Sequence, residues 1–117
     1  GMNIYLIGYR GTGKSTVAPA LTQRLGGDWD WVDLDVEIEK HAGRTIADIF
    51  ANDGEQAFRD LEAEALAAYA DQDQFVVATG GGAILRATNR DAMKTGFVVW
   101  LDASPATIER RLQGDPT

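Results

Sequence analysis

Residues 8–15 read Gly-Tyr-Arg-Gly-Thr-Gly-Lys-Ser and directly follow an apolar run, Ile4-Tyr5-Leu6-Ile7. This is the Gly-x-x-x-x-Gly-Lys-Ser pattern of a phosphate-binding loop. Glycines at this spacing let successive backbone N–H groups face one anion, and a helix starting at the lysine adds its unpaired amides and the positive end of its dipole. Lys14 is placed to reach the β- and γ-phosphates of a nucleotide, and the Ser15 hydroxyl to ligate Mg²⁺. Gly11, Thr12, Gly13, Lys14, Ser15 and Thr16 are the candidate nucleotide contacts. The bland alternative is a Gly-rich strand-to-helix turn that binds nothing.

Asp33-Leu34-Asp35 is the next pattern with chemical content. Read as the end of a strand, the i, i+2 spacing puts both carboxylates on one side. In an open α/β sheet that side is the crevice beyond the carboxyl ends of the strands, where the phosphate loop also opens. One acid near Mg²⁺ and one near an acceptor hydroxyl is what phosphoryl transfer to an alcohol needs, because the second can orient the attacking oxygen and take its proton. Solvated loop aspartates or helix caps are the alternative.

Arg59 precedes Glu62 by three residues, the spacing of a helix-surface ion pair. Its planar guanidinium equally suits a bidentate grip on the carboxylate of an acceptor. Gly80-Gly81-Gly82 follows an apolar run, and three consecutive glycines cost backbone entropy that either close approach to a ligand or a tight turn must offset. His41 is the single histidine and reads as solvated, while Trp29, Trp31 and Trp100 read as packing residues.

These groups need a scaffold. The pattern predicts strands at 4–7, 30–34, 75–78 and 97–101. Helices are expected at about 13–25 (with Pro19 inside it), 36–41, 45–50 with Thr45 as N-cap, 55–71, 86–94 and 104–112. Phe58, Leu61, Ala65, Leu66 and Tyr69 form the expected buried stripe of the long helix. Strands alternate with helices, and 75–78 and 97–101 are continuously apolar. The expected fold class is therefore α/β, one domain with a parallel sheet covered by helices on both faces. Only four strands are present, and the pattern reads as incomplete at its C-terminal end.

The 117 residues are 44% hydrophobic and 25% charged, ordinary for a globular domain. No stretch of 18 apolar residues and no signal-like N-terminus is visible. The absence of cysteine excludes disulfides and thiolate metal sites. A net charge of −7 argues against nucleic acid or an anionic membrane as partner. Positive potential for a nucleotide must then be local, with Arg10, Lys14, Arg59, Arg110 and Arg111 as its sources.

Taken together, Gly8–Ser15, Asp33-Leu34-Asp35, the segment from Gly43 to Phe50, Gly54-Glu55 with Phe58-Arg59, and Ala78-Thr79-Gly80-Gly81-Gly82 resemble shikimate kinase over essentially the whole chain. Phe-x-x-x-Gly-Glu-x-x-Phe-Arg followed by the triple glycine is far more specific than the phosphate loop. The resemblance implies a P-loop enzyme of the nucleoside-monophosphate-kinase-like fold, cytoplasmic and monomeric. It would use ATP and Mg²⁺ to phosphorylate the 3-hydroxyl of shikimate, on the way to chorismate and the aromatic amino acids. By position, Lys14 would stabilise the transferring phosphoryl, Ser15 and Asp33 would serve the metal, and Asp35 would bind the shikimate hydroxyls and act as base. Arg59 would grip the shikimate carboxylate with Glu62 as its buttress, Gly80, Gly81 and Gly82 would close the pocket, Phe50 and Phe58 would wall it, and Arg111 would lie against adenine. The family's lid, its second carboxylate-binding arginine and its final strand follow the position of Thr117 and have no counterpart in these residues. A molecule ending there is expected to bind ATP weakly and turn over little. Two other readings stay open: another small-molecule kinase of the same fold, such as a gluconate kinase, and a non-catalytic binding protein.

Overall fold

The computed structural model describes residues 2–8 and 13–101. Arg10, Gly11, Thr12, Arg110, Arg111 and the helix expected at 104–112 lie outside the described residues. In chain order the elements are β1 (Ile4–Ile7), α1 (Lys14–Leu25), β2 (Asp30–Asp33), α2 (Leu34–Ala42), α3 (Ile46–Asp53) and α4 (Glu55–Ala70). They continue with β3 (Phe75–Ala78), a 3-10 turn (Ala83–Leu85), α5 (Ala87–Met93) and β4 (Phe97–Trp100).

The four strands are parallel, in the order β2-β3-β1-β4. Parallel neighbours cannot be joined by hairpins, so each connection crosses a face of the sheet and leaves a helix there. Alternation along the strands divides the core in two. Tyr5, Ile7 and Val77 point to the face covered by Leu34 and Ile38 of α2, Ile49 of α3, Phe58 and Leu66 of α4 and Met93 of α5. Leu6, Val76 and Ala78 point to the other face, against Val17 and Ala18 of α1, with Trp29 and Trp31 packed alongside. Helices on both faces of a parallel sheet are what the strand–helix alternation predicts.

Buried polar side chains fix the strand ends. The Asn3 amide donates to the carbonyls of Tyr69 and Gln72, at 3.0 and 3.1 Å, and its Oδ1 accepts from the Phe75 N–H at 2.9 Å. Thr79 sends both its N–H and its hydroxyl to the Leu6 carbonyl, at 3.0 and 2.9 Å. The end of β3 is thereby locked to β1, and the glycines that follow start from a rigid point.

Three expectations change. β2 stops at Asp33 and Leu34 opens α2, because the Asp33 side chain caps that helix, accepting from the N–H groups of Asp35 and Val36. β4 is as apolar as β3 in sequence, yet its four residues are 38–62% exposed while Val76, Val77 and Ala78 are buried. β4 pairs with β1 alone among the described strands, whereas β3 lies between two neighbours. Trp100, on β4, is accordingly exposed and is no packing residue, unlike Trp29 and Trp31. The remaining described elements match their expected places to within a few residues, and α1 runs unbroken through Pro19.

Candidate active site

In a parallel sheet every strand delivers its carboxyl end to the same rim. β1 ends there at Ile7, β2 ends there at Asp33, and β3 runs there into Thr79-Gly80. Gly13 is the N-cap of α1 and has φ 87°, a left-handed conformation that glycine adopts without strain. No side chain caps the start of α1, and a helix start without a side-chain cap can face an anion. Lys14, Ser15 and Thr16 make up that turn, and the Lys14 ammonium donates to the Gly8 carbonyl. Burial lowers the Lys14 pKa, and the negative charges of Asp35 and Asp33 oppose that shift. The lysine is therefore within electrostatic reach of both acids.

The two acids meet at the rim by a route different from strand alternation. Asp33 is the N-cap of α2, with Oδ1 at 3.0 Å from the Asp35 amide and 3.4 Å from that of Val36. Asp35 is the second residue of the helix, and its Oδ1 is buried with no hydrogen-bond partner. Burial raises the Asp35 pKa, the charges of Asp33 and Glu39 push it the same way, and Lys14 and Arg59 pull it back.

Arg59 reaches the same place from α4. Its Nη1 donates to Glu62 Oε1 at 3.0 Å, its Nε approaches Glu55 Oε2 at 3.5 Å, and its guanidinium carbon lies 5.2 Å from the centre of the Phe58 ring. Phe58 itself stacks on Phe50, with ring centres 5.0 Å apart. Glu62 is 0% exposed, and its second oxygen, Oε2, has no partner. Burial raises its pKa first of all; the bond and charge of Arg59 work against this, as does Arg86, while Asp35 adds to it. A Cβ placed on Gly80 would stand 3.3 Å from Glu62 Oε2 and 3.4 Å from Asp35 Oδ1, so both orphaned oxygens border this one glycine.

The structure thus gathers Lys14, Asp33, Asp35, Arg59, Gly80 and Gly82 at one rim, with Ser15 and Thr16 exposed beside Lys14 and Gly81 half-buried within the triple glycine. Gly11, Thr12 and Arg111 lie outside the described residues. His41 is exposed, as expected.

Two supporting residues had no signal in the sequence. Arg86 donates to the Arg59 carbonyl at 3.3 Å and pairs with Asp60 at 2.8 Å. Asn89, buried in α5, donates to the Ala83 carbonyl at 2.9 Å and ties down the turn after the glycines. For a metal, the chemistry on offer is one hydroxyl, Ser15, and one carboxylate, Asp33, of which one oxygen is engaged in capping. Among the described residues no group of three or more His, Cys, Asp or Glu could hold an ion. Sparse hard-oxygen donors fit Mg²⁺ carried in by phosphates and waters, and do not fit an all-protein cage.

No helix among the described residues is long and apolar enough to cross a membrane. A family model described as shikimate kinase matches residues 10–117. A shikimate kinase of Symbiobacterium thermophilum is 53% identical over 114 residues, covering 97% of this chain and 64% of that protein. One from Rhodopirellula baltica is 50% identical over 98% of this chain and 61% of its own length. Among solved structures, shikimate kinase from Acinetobacter baumannii in complex with shikimate superposes with a TM-score of 0.83 at 41% identity, over 94% of this chain and 60% of that one. The chain therefore spans about three-fifths of the length of these relatives. With that order of motifs on that sheet, and that breadth of agreement, the chain belongs to the shikimate kinase family.

Proposed function

We propose that the protein carrying this chain transfers the γ-phosphoryl group of ATP to the 3-hydroxyl of shikimate, giving shikimate 3-phosphate for the chorismate and aromatic amino acid pathway. The observation that carries this reading is the meeting of an anion-binding helix start, a half-buried acid and a clamped arginine at one rim, in a chain of this family.

Lys14, the amides of Gly11, Thr12, Gly13 and Ser15, and Thr16 hold the nucleotide phosphates, and Arg111 packs against the adenine. The Lys14 charge is aimed where negative charge moves in phosphoryl transfer. Ser15 and Asp33 supply oxygen ligands for Mg²⁺, directly or through water, and the bound ion would neutralise charge on the phosphates. Asp35 orients the acceptor hydroxyl and takes its proton. A carboxyl held above its ordinary range is a better base than a solvated one, because its proton affinity sits nearer that of its working pH. Arg59, already held by Glu62, grips the shikimate carboxylate in a fork, and the backbone of Gly80, Gly81 and Gly82 closes the pocket. Anchoring the carboxylate at one end and the hydroxyl at the other fixes the ring for in-line attack. The protein acts as a cytoplasmic monomer, with no nucleic acid or membrane partner.

The test is a coupled ADP assay with and without shikimate. ADP formation is expected to depend on shikimate and to fall by about 10²–10⁴-fold in Asp35→Asn. Phosphorylation of gluconate or a nucleoside monophosphate, with none of shikimate, would overturn the reading. Binding of both ATP–Mg²⁺ and shikimate with no product would favour a binding protein instead.

A further inference from the structure

Gly82 has φ −92° and ψ −2°, an ordinary right-handed conformation open to any residue. Its backbone does not demand glycine. The space does: a Cβ there would stand 2.5 Å from both Nη1 and Nη2 of Arg59 and 2.6 Å from its Cζ. Carbon and nitrogen do not approach so closely without a bond, so a side chain at position 82 and the guanidinium as it lies are mutually exclusive.

Three further contacts hold that guanidinium. Glu62 Oε1 takes Nη1 at 3.0 Å, Glu55 lies at 3.5 Å from Nε, and the Phe58 ring faces the guanidinium carbon at 5.2 Å. The main chain beneath it is held by Arg86, which donates to the Arg59 carbonyl. The loop carrying Gly82 is equally fixed, by Thr79 to Leu6 on one side and by Asn89 to Ala83 on the other. Both walls of the slot are braced, and the end of the arginine is the part between them that can give way.

We propose that Gly82 is a specificity-determining position whose missing side chain forms the seat of the Arg59 guanidinium, so that the residue at 82 sets where a carboxylate-bearing acceptor can be gripped. This rests on the proposed function for its consequence and on the geometry for its cause. It assigns Gly82 a role beyond that of a backbone wall: Gly82 is a positioning residue acting through Arg59. Because the obstructed atoms are the far end of a flexible side chain, a methyl group at 82 displaces the arginine and leaves the backbone in place. Its cost to folding is that of taking the Arg59 donor away from buried Glu62.

Gly82→Ala, Arg59→Ala and the double variant separate the possibilities. A crystal structure of Gly82→Ala without acceptor should show the guanidinium moved off Glu62 Oε1 while the loop keeps its path. An unmoved guanidinium with a displaced loop would overturn the proposal, whatever the acceptor is. Calorimetry with shikimate should show a loss of about tenfold or more in affinity for Gly82→Ala, the scale of a lost charged hydrogen bond. The double variant should be no weaker than Arg59→Ala alone, since each change removes the same grip. Unchanged affinity in Gly82→Ala, or losses that multiply in the double variant, would also overturn it. If the parent binds no shikimate, the proposed acceptor is wrong, and the crystal structure alone still decides the seat.

Discussion

Arg59→Met is the most informative single perturbation of the site, because of what it leaves behind. Methionine retains an apolar stem of similar length but removes the donor at 3.0 Å from Glu62 Oε1. Glu62 is then a fully buried carboxylate with neither oxygen hydrogen-bonded, since Oε2 has no partner in the parent. Breaking a buried pair from one side costs about 3–5 kcal/mol while the survivor stays charged. Glu62 can escape by taking up a proton. From an ordinary glutamic acid value near 4.3, that escape caps the charge penalty at about 3.7 kcal/mol at pH 7 and about 1 kcal/mol at pH 5.

The sign follows from linkage. In the folded parent burial already holds Glu62 above its unfolded value, so its contribution favours folding at acid pH and is lost as pH rises through the folded value. Removing Arg59 takes away the largest influence opposing that shift, leaving Arg86 to oppose it and Asp35 to reinforce it. The gap between parent and variant must therefore widen from pH 5 to pH 7. Urea denaturation at the two pH values measures it, with about 1 kcal/mol expected at the lower and about 3 kcal/mol at the higher. In the Glu62→Gln background Arg59→Met should lose most of this pH dependence, Asp35 keeping the smaller part that the Arg59 charge contributes to it. An equal loss at both pH values, or a pH dependence undiminished by Glu62→Gln, would refute the reasoning.

Other consequences are direct. Asp35→Asn should lower shikimate-dependent ADP formation by about 10²–10⁴-fold, the range for a lost general base, with nucleotide affinity retained in calorimetry. Asn89→Ala leaves the Ala83 carbonyl without its buried donor and should cost about 1–3 kcal/mol in chemical denaturation. Thr45→Ala removes the cap that accepts from the Asp48 N–H at 3.1 Å, and should cost about 1 kcal/mol by the same assay without altering shikimate affinity.

What the sequence discloses is what local spacing encodes. The phosphate loop is legible because all its parts lie within eight residues, and β3 is legible because its four apolar residues sit between polar turns. The cap at Thr45 is equally visible, its acceptor and donor being three residues apart. Long-range relations are a different matter. Asp33-x-Asp35 looks like strand alternation, but the capping preference of an aspartate ahead of an apolar residue ends β2 early and places Asp35 on a helix. Arg59 and Glu62 look like a surface pair, because spacing along α4 cannot say that Glu62 faces the sheet rim and is wholly buried. β3 and β4 are indistinguishable by composition, and only the order β2-β3-β1-β4 separates the buried strand from the exposed one. The clearance at Gly82 exists only once α4 and the glycine loop are brought together.

The central claim is that one rim of the sheet holds a shikimate site in which Arg59 takes the carboxylate. Calorimetric titration of parent and Arg59→Ala with shikimate tests it most directly. The account predicts saturable one-site binding by the parent and a loss of at least about tenfold in the variant. Equal affinity in the two proteins would contradict it.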